Sequence, residues 1–297
     1  MRVGVDIGGT KTEAVLLADD GTIAAQLRLP TGFGPESVVE SAVRAVTEVA
    51  GTSLGAVASI GVGIPGAVDS VTGRVSHALN LGVEYLELGA ELGRQLGAPV
   101  RVENDVNAAA LGAFHLLDLP ATASMGYLNL GTGLAAGLVL GGQLWRGSRG
   151  AAGEIGHILV DPTGPLDLDG QPGGLEVMAS GSGIARQWGT GEDNSVTAVL
   201  DAADDGDERA IEIRRRLFDG VATSVRILVL TVDVDLVVIG GGISRLGPRL
   251  LGGVDAIFAA WGAQSPFIQS LELPSRLRVL PADSPVAALG AAYLGSN

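Results

Sequence analysis

Residues 3–17 read Val-Gly-Val-Asp-Ile-Gly-Gly-Thr-Lys-Thr-Glu-Ala-Val-Leu-Leu, with an apolar run on each side of a glycine turn. Two strand-forming runs around such a turn predict a β-hairpin. Gly8 and Gly9 have no Cβ, so the backbone can approach a ligand closely at this point. Backbone N–H groups, a hydroxyl and an ammonium at one turn suit a phosphate, and the carboxylate of Asp6 suits the magnesium ion that accompanies it. A plain hairpin with a polar tip is the alternative that this stretch leaves open.

The composition is that of a globular protein and not of a disordered or membrane-spanning one. Hydrophobic residues make up 46% and charged residues 18% of the 297 residues, and this length favours two lobes. An uninterrupted apolar stretch of about 18 residues, as a transmembrane helix needs, does not occur. With no cysteine and a first predicted strand at Val3, we expect a soluble cytoplasmic protein without a signal peptide, disulfides or thiolate metal sites.

The net charge of −14 argues against a nucleic-acid partner, because phosphate backbones are bound through lysine and arginine patches. An anionic ligand must then be held by local groups, which are backbone N–H groups, helix N-termini and a bridging cation.

A second stretch, residues 125–142, repeats the pattern of the first hairpin. When the two are aligned, Asn129 falls on Asp6, Gly131 falls on Gly8, and the second apolar runs also coincide. A single long-range repeat of this kind predicts two lobes of similar build. Each lobe would present a phosphate-facing hairpin to the cleft between them.

Two further positions follow predicted strands. Asn104 and Asp105 lie between a short strand and a helix, where they can cap the helix or place a carboxylate at the carboxyl end of a strand. One residue could do both. The triplet 240–242, Gly-Gly-Gly, follows a buried strand and would let a flat ring such as adenine approach closely.

Together these motifs resemble the ROK family of sugar kinases and repressors over nearly the whole chain. Residues 64–69 are similar to the family's connecting motif, residues 153–157 to its sugar-loop signature, and residues 175–176 to the element after it. The resemblance implies an α/β chain with the two-lobed actin-like, ribonuclease H-like ATPase fold, duplicated hairpin-containing domains and a cleft. The lobes are expected at residues 1–118, with a C-terminal helix at 284–297 packed back on this lobe, and at residues 119–283.

The activity implied by the resemblance is ATP-dependent phosphorylation of a hexose hydroxyl, with the 6-OH of glucose first, by a glucokinase-like enzyme. Asp105 would be the general base. The implied sugar-binding residues are Gly66, Asn104, Asp105, Glu154, His157 and Glu176. The implied nucleotide-binding residues are Asp6, Gly8, Gly9, Thr10, Lys11, Gly131, Thr132, Gly133, Gly240, Gly241 and Gly242. Asp6 would hold Mg²⁺, through water.

One loop departs from the family pattern, which has a zinc site built from Cys-x-Cys-Gly-x-x-Gly-Cys-Leu-Glu and the sugar-loop histidine. The three thiolate positions hold Asp167, Asp169 and Gly174. We therefore expect no zinc, and we expect the loop to be ordered by its proline and glycine residues and by hydrogen bonds. His157 would bind sugar or be structural, and a harder metal on His157, Asp167 and Asp169 is the alternative.

Several alternatives remain at this level. The acceptor could be N-acetylmannosamine, N-acetylglucosamine, a kanosamine-like amino sugar or fructose, and the donor could be polyphosphate. A sugar-sensing ROK-type regulator would need a basic DNA-binding domain ahead of Val3, and a non-catalytic sugar-binding protein would not need Asp105. We expect a homodimer or tetramer, with no nucleic-acid or membrane partner.

Overall fold

The structure is a computed structural model that describes residues 1–189, 195–281 and 283–296. The chain divides into two compact units. The first comprises Met1–Thr122, Gly137–Ala151 and Pro285–Asn297, and the second comprises Ala123–Ala136 and Ala152–Ser284. The first unit thus includes a segment, Gly137–Ala151, that lies beyond the boundary expected at residue 118.

The first unit contains a five-stranded sheet and a three-stranded sheet. Their strands are β1 (Arg2–Ile7), β2 (Lys11–Leu17), β3 (Ile23–Pro30), β4 (Ser59–Ile64), β5 (Ala67–Asp69), β6 (Arg74–Ala78), β7 (Val83–Leu86) and β8 (Val100–Asn104). The strand orders are β3-β2-β1-β4-β8 and β5-β6-β7. β1, β4 and β8 are parallel, with Asp6 beside Gly63 and Gly63 beside Glu103. The carboxyl ends of these strands therefore meet at one edge, where α/β proteins build their sites.

Three helices follow strands of this unit, namely α1 (Pro35–Ala50), α2 (Leu88–Leu96) and α3 (Asp105–Leu116), and short 3-10 helices lie at Gly51–Ala56 and Leu79–Leu81. The apolar stripe of α1 is buried, as its helical spacing predicts, and includes Val38, Ala42 and Val46. These side chains pack in one cluster with the buried residues of β1.

A second five-stranded sheet has the order β11-β10-β9-β12-β13. Its strands are β9 (Met125–Leu130), β10 (Leu134–Leu140), β11 (Gln143–Trp145), β12 (Leu236–Gly240) and β13 (Leu277–Val279). This order matches that of the first sheet strand for strand, and β9, β12 and β13 are parallel like their counterparts. The predicted duplication of a hairpin-containing sheet is confirmed.

The remaining helices are α4 (Leu175–Ala179), α5 (Gly181–Trp188), α6 (Val196–Asp204), α7 (Glu208–Val232), α8 (Pro248–Gln264), α9 (Pro266–Ser270) and α10 (Val286–Tyr293). Short 3-10 helices lie at Ile155–His157, Gly242–Leu246, Leu273–Arg276 and Leu294–Ser296. α10 packs Ala288, Leu289 and Ala292 against Val15 and Leu17 of β2. Among the residues described, no helix combines the length and apolarity that crossing a membrane requires.

Candidate functional site

The junction between β8 and α3 carries the two predicted residues Asn104 and Asp105. Asn104 is the N-cap of α3, since its Oδ1 accepts hydrogen bonds from the N–H groups of Val106 at 3.0 Å and Asn107 at 3.2 Å. The capping role therefore falls to Asn104. Asp105 is the first residue of the helix, and its Oδ1 accepts from the N–H of Val106 at 2.9 Å. The arrangement places the Asp105 carboxylate at the carboxyl edge of the parallel strands.

Gly66 lies beside this junction. The Nδ2 group of Asn104 donates to the carbonyl oxygen of Gly66 at 3.3 Å. Gly66 has a φ of 98°, a value that favours glycine, so the turn that brings its peptide to Asn104 depends on this residue. Two of the predicted sugar-binding residues are thus in direct contact.

Asp6 lies at the carboxyl end of β1, on the other side of Gly63 from Asp105. A methyl group at Gly63 would lie 3.8 Å from Asp6 Oδ1 and 3.5 Å from the Cα of Asp105. Burial, together with the nearby carboxylates of Asp105 and Glu13, raises the pKa of Asp6 to about 8. Among the described residues, the charged groups that shift this pKa are both acidic, and a divalent cation would supply the counter-charge.

The donor set fits magnesium better than a fully protein-coordinated metal. Among the described residues, no group of three or more His, Cys, Asp or Glu side chains could hold a metal ion. Magnesium keeps several waters and is commonly bound by one or two carboxylates together with substrate phosphates. Asp6, with Asp105 nearby, matches that pattern.

The turn of the first hairpin is held by a buried threonine. Gly8 donates its N–H to the carbonyl of Lys11 at 2.9 Å, which closes the turn. Thr31 donates its hydroxyl to the carbonyl of Gly8 at 2.8 Å, and its N–H to the carbonyl of Thr10 at 3.2 Å. Gly9, Thr10 and Lys11 form the exposed tip, which is open to a ligand.

The turn of the second hairpin is held by the start of α5. The N–H of Gly181 donates to the carbonyl of Gly131 at 2.8 Å, while the N–H and hydroxyl of Ser182 donate to the carbonyl of Thr132 at 3.1 and 2.7 Å. Glu176 also contacts this hairpin. Its Oε2 accepts from the N–H of Leu134 at 2.9 Å, and a methyl group at Gly133 would lie 2.7 Å from that oxygen.

Glu154 and His157 are exposed at the two ends of the short segment that forms the Ile155–His157 helix. A methyl group at Gly156 would lie 3.3 Å from the Cβ of Glu176, so Glu176 lies beside this segment. The second unit therefore brings Glu154, His157 and Glu176 to one region.

The glycine triplet has a packing reason in addition to the ligand approach that the sequence suggests. A methyl group at Gly240 would lie 2.0 Å from the hydroxyl of Tyr127, and one at Gly241 would lie 2.5 Å from the carbonyl of Leu130. Packing inside the second unit therefore requires glycine at these two positions. Only Gly242 of the three has open space where a side chain would be.

The loop that replaces the family's zinc site is ordered by hydrogen bonds. Oδ1 of Asp167 accepts from the N–H groups of Asp169 at 2.9 Å and Gln171 at 2.8 Å, and Gly173 donates to the carbonyl of Pro165 at 2.9 Å. With two carboxylates and a glycine at the thiolate positions, and one of those carboxylates bound to backbone N–H groups, these residues do not fit zinc.

Sequence reasoning assigned no role to Glu103, Asn107 or Arg146. Glu103 is 2% exposed, and its Oε2 accepts from the Nε–H of Arg146 at 2.6 Å. The side-chain amide of Asn107 donates to Oε1 of Glu103 at 3.0 Å. A glutamate at the end of a predicted short strand was the available signal, because a carboxylate that becomes buried there needs a partner.

A model of the ROK family matches residues 2–296 of the chain. The chain belongs to the ROK family.

Three relatives illustrate the similarity. A glucokinase of Thermotoga maritima is 33% identical over 270 residues, which cover 84% of each chain. An N-acetylmannosamine kinase of Escherichia coli O157:H7 is 33% identical over 268 residues, which cover 89% of each chain. The crystal structure of a ROK-family glucokinase from Streptomyces griseus, in complex with glucose and AMPPNP, superposes with a TM-score of 0.76 at 30% identity, covering 99% of this chain and 98% of the other.

The predictions of a ROK-family chain and of an α/β fold of the actin-like class are confirmed by these comparisons. The predicted enzyme class, a sugar kinase, is confirmed as well, since the relatives are sugar kinases by name.

Proposed function

We propose that this ROK-family chain transfers the γ-phosphoryl group of ATP to a hexose hydroxyl, with the 6-OH of glucose as the first candidate. The observation that carries the proposal is the carboxylate of Asp105 at the carboxyl edge of the first sheet, beside Asp6 and the Asn104–Gly66 contact. The glucokinase relatives, one of them crystallised with glucose and AMPPNP, support this choice of donor and acceptor.

In the proposed reaction, the sugar hydroxyl oxygen forms a bond to the γ-phosphorus while the bond from that phosphorus to the β,γ-bridging oxygen breaks. The hydroxyl proton passes to the Asp105 carboxylate, and ADP leaves with the bridging oxygen. A sugar hydroxyl is a weak nucleophile, so a carboxylate that accepts its proton during attack contributes to the rate. Positioning and charge neutralisation do most of the remaining work in phosphoryl transfer.

The nucleotide would be held by the two glycine turns and by the triplet after β12. The residues assigned to it are Asp6, Gly8, Gly9, Thr10, Lys11, Gly131, Thr132, Gly133, Gly240, Gly241 and Gly242. Magnesium, when bound, neutralises developing charge on the phosphate oxygens. Asp6 would hold it through water, and its raised pKa is the expected property of a carboxyl group that awaits a cation.

The sugar would be bound by the side chain of Asn104, the backbone of Gly66 and the exposed side chains of Glu154 and His157. Glu176 is assigned to the sugar too, although in this structure its carboxylate accepts from the N–H of Leu134. We infer that one carboxylate oxygen of Glu176 fixes the second hairpin while the other serves the ligand.

A second candidate acceptor is N-acetylmannosamine, because the kinase named for it matches this chain at the same identity as the Thermotoga glucokinase. N-acetylglucosamine, an amino hexose and fructose follow, and polyphosphate is the alternative donor. A sugar-sensing regulator and a non-catalytic sugar-binding protein are the alternatives of another class, and neither needs Asp105 together with two phosphate-binding hairpins.

The deciding experiment is an ADP-release assay with glucose, fructose, N-acetylmannosamine, N-acetylglucosamine and an amino hexose, using Mg-ATP as donor. A parallel arm supplies polyphosphate and detects the sugar phosphate directly. We expect the highest kcat/KM for glucose with ATP. Turnover on none of these acceptors with either donor contradicts the proposal, and preference for an N-acetyl sugar replaces the first candidate by the second.

A further inference from the structure

The residues that flank the proposed catalytic junction include a charged pair that the reaction itself does not use. Glu103 precedes Asn104 in β8, and its side chain is 3% exposed. Burying a carboxylate costs free energy unless it is paired and hydrogen-bonded. Such a pair next to the proposed base needs an explanation.

The Glu103 carboxylate accepts hydrogen bonds from one backbone N–H and two side chains. Oε1 accepts from the N–H of Asn104 at 3.1 Å and from the side-chain amide of Asn107 at 3.0 Å. Oε2 accepts from the Nε–H of Arg146 at 2.6 Å. Both oxygens are therefore engaged, and the N–H that one of them receives belongs to the residue directly before Asp105.

Asn107 closes a ring of hydrogen bonds with Glu103 and Asn104, the two residues that precede Asp105. It is 7% exposed, and its N–H donates to Oδ1 of Asn104 at 3.2 Å. Glu103 thus holds Asn104 at the backbone and Asn107 at the side chain, while Asn104 itself caps the helix that Asp105 begins. The orientation of the first turn of α3 depends on the Glu103 carboxylate.

Arg146 reaches Glu103 from the end of a paired strand of the same unit. It follows β11, which pairs with β10 so that Trp145 lies opposite Leu138. A methyl group at Gly137 would lie 2.6 Å from the Cβ of Ala110 and 2.7 Å from the carbonyl of Val106, so this part of β10 runs directly against α3. The Arg146 guanidinium thus extends from the β10–β11 pair, which packs on α3, the helix whose first turn we infer it helps to orient.

We propose that Arg146 and Glu103 form a positioning pair, which fixes the Asn104–Asp105 junction so that the Asp105 carboxylate meets the sugar hydroxyl. This inference rests on the proposed function. A misplacement of about 1 Å can lower the rate about 10²-fold, which is why a pair without contact to the reacting atoms can matter.

The test compares Arg146→Ala with Arg149→Ala, the removal of an exposed arginine in the same segment. All assays are run below the melting temperature of every variant. We expect Arg146→Ala to lower kcat/KM for the sugar on the order of 10- to 100-fold, with KM for ATP within about twofold of wild type. Arg149→Ala should match wild type, and Arg146→Lys, which restores the charge, should recover part of the loss.

A double-mutant cycle of Glu103→Gln and Arg146→Ala measures whether the two residues act together. The combined Glu103→Gln, Arg146→Ala variant should be no worse than the worse single variant, because it leaves no unpaired buried charge. The proposal would be overturned if the two single-variant losses in kcat/KM simply added. It would also be overturned if the kinetic parameters for ATP and for the sugar were impaired equally, because that would indicate a general structural effect.

A crystal structure of the Arg146→Ala variant separates this inference from the proposed function. We expect a displaced Asp105 carboxylate and a lost Glu103–Asn107 hydrogen bond. An unmoved junction overturns the positioning role even if wild type is inactive, whereas an inactive wild type on the whole acceptor panel contradicts the proposed function alone.

Discussion

The first glycine hairpin, β1–β2, and the second, β9–β10, have strands of equal length, six residues and then seven in each. Each places a polar residue opposite a glycine of the neighbouring parallel strand, Asp6 beside Gly63 and Asn129 beside Gly240. The side chains differ in charge. Only the first hairpin has an ionisable group at this position, with a pKa raised to about 8 by burial and by neighbouring carboxylates.

The supports of the two turns differ as well. Thr31, which is 1% exposed, donates hydrogen bonds to the first turn, while the start of α5 and the carboxylate of Glu176 hold the second. The two hairpins therefore share a backbone arrangement but differ in their charged groups and supporting contacts. We infer that the cation and the phosphoryl transfer depend on the first hairpin, whereas the second binds phosphate through neutral groups.

The sharpest contrast should be seen in activity. Asp6→Ala removes the carboxylate proposed to hold the cation, and we expect kcat to fall on the order of 10²-fold or more. Asn129→Ala removes a neutral amide, and a hydrogen bond from such a group is worth about 1 kcal/mol, so the loss of activity should stay below about tenfold. Steady-state rates across a magnesium titration measure both. Equal losses in the two variants would contradict the division of roles.

The raised pKa of Asp6 gives a stability difference that depends on pH. The folded state keeps a proton on Asp6 up to about pH 8, whereas the unfolded chain releases it near the ordinary value of 3.8. Stability is therefore lost as pH rises through this window, and Asp6→Asn should become progressively more stable than wild type. The gain at pH 8 should reach a few kcal/mol, since one pKa unit corresponds to about 1.4 kcal/mol.

Thermal melting without nucleotide or magnesium, at several pH values from 5 to about 8, measures this difference. Asn129→Asp is the mirror control, because it places a carboxyl group at the matching position of the second hairpin. Its destabilisation should grow as pH rises. A constant offset between Asp6→Asn and wild type at every pH would show that Asp6 is not protonated in the folded protein.

The supports of the turns should differ in their effect on stability. Thr31→Val removes a buried hydroxyl that bonds the carbonyl of Gly8 at 2.8 Å and the hydroxyl of Thr12 at 2.9 Å, and should cost about 1–3 kcal/mol. Ser182→Ala removes a hydroxyl that bonds the carbonyl of Thr132 at 2.7 Å, in an exposed position, and the hydroxyl of Ser180 at 3.3 Å. Its N–H still donates to Thr132, so the change should cost less than about 1 kcal/mol. Urea unfolding compares the two, and the reverse order would contradict the account.

The smallest effect concerns the loop of the second unit. Asp167→Ala removes two hydrogen bonds to backbone N–H groups and should cost about 1 kcal/mol. Asp169→Ala, an exposed neighbour at another thiolate position, should stay within about 0.5 kcal/mol of wild type. Differential scanning fluorimetry measures the melting temperature of both variants, and equal shifts would contradict a stabilising role for the Asp167 hydrogen bonds.

Much of this comparison could be predicted from the sequence. The hairpins, their duplication and the Asn104–Asp105 junction depend on local signals, namely apolar runs, glycine turns and a capping residue, which act within a few residues. Those signals predict that Asp6, in its strand, and Asp105, directly after one, lie at the same edge of the sheet, because the carboxyl ends of parallel strands share an edge.

What the sequence did not reveal depends on contacts between distant residues. Arg146 and Glu103 are separated by 43 positions, and they meet because β11 pairs with β10, which packs against α3. The same holds for the close approach of Tyr127 to Gly240 from the neighbouring strand, which leaves no room for a side chain at this position. Side-chain packing of this kind leaves no periodic signal along the chain.

The most direct test of the central claim is phosphoryl transfer by Asp105→Ala. The account predicts that this variant folds, binds ATP as wild type does, and loses about 10²- to 10⁴-fold in kcat for the preferred sugar. ADP release and ATP titration calorimetry on the same preparation measure both properties. Near wild-type turnover by Asp105→Ala would contradict the assignment of Asp105 as the base.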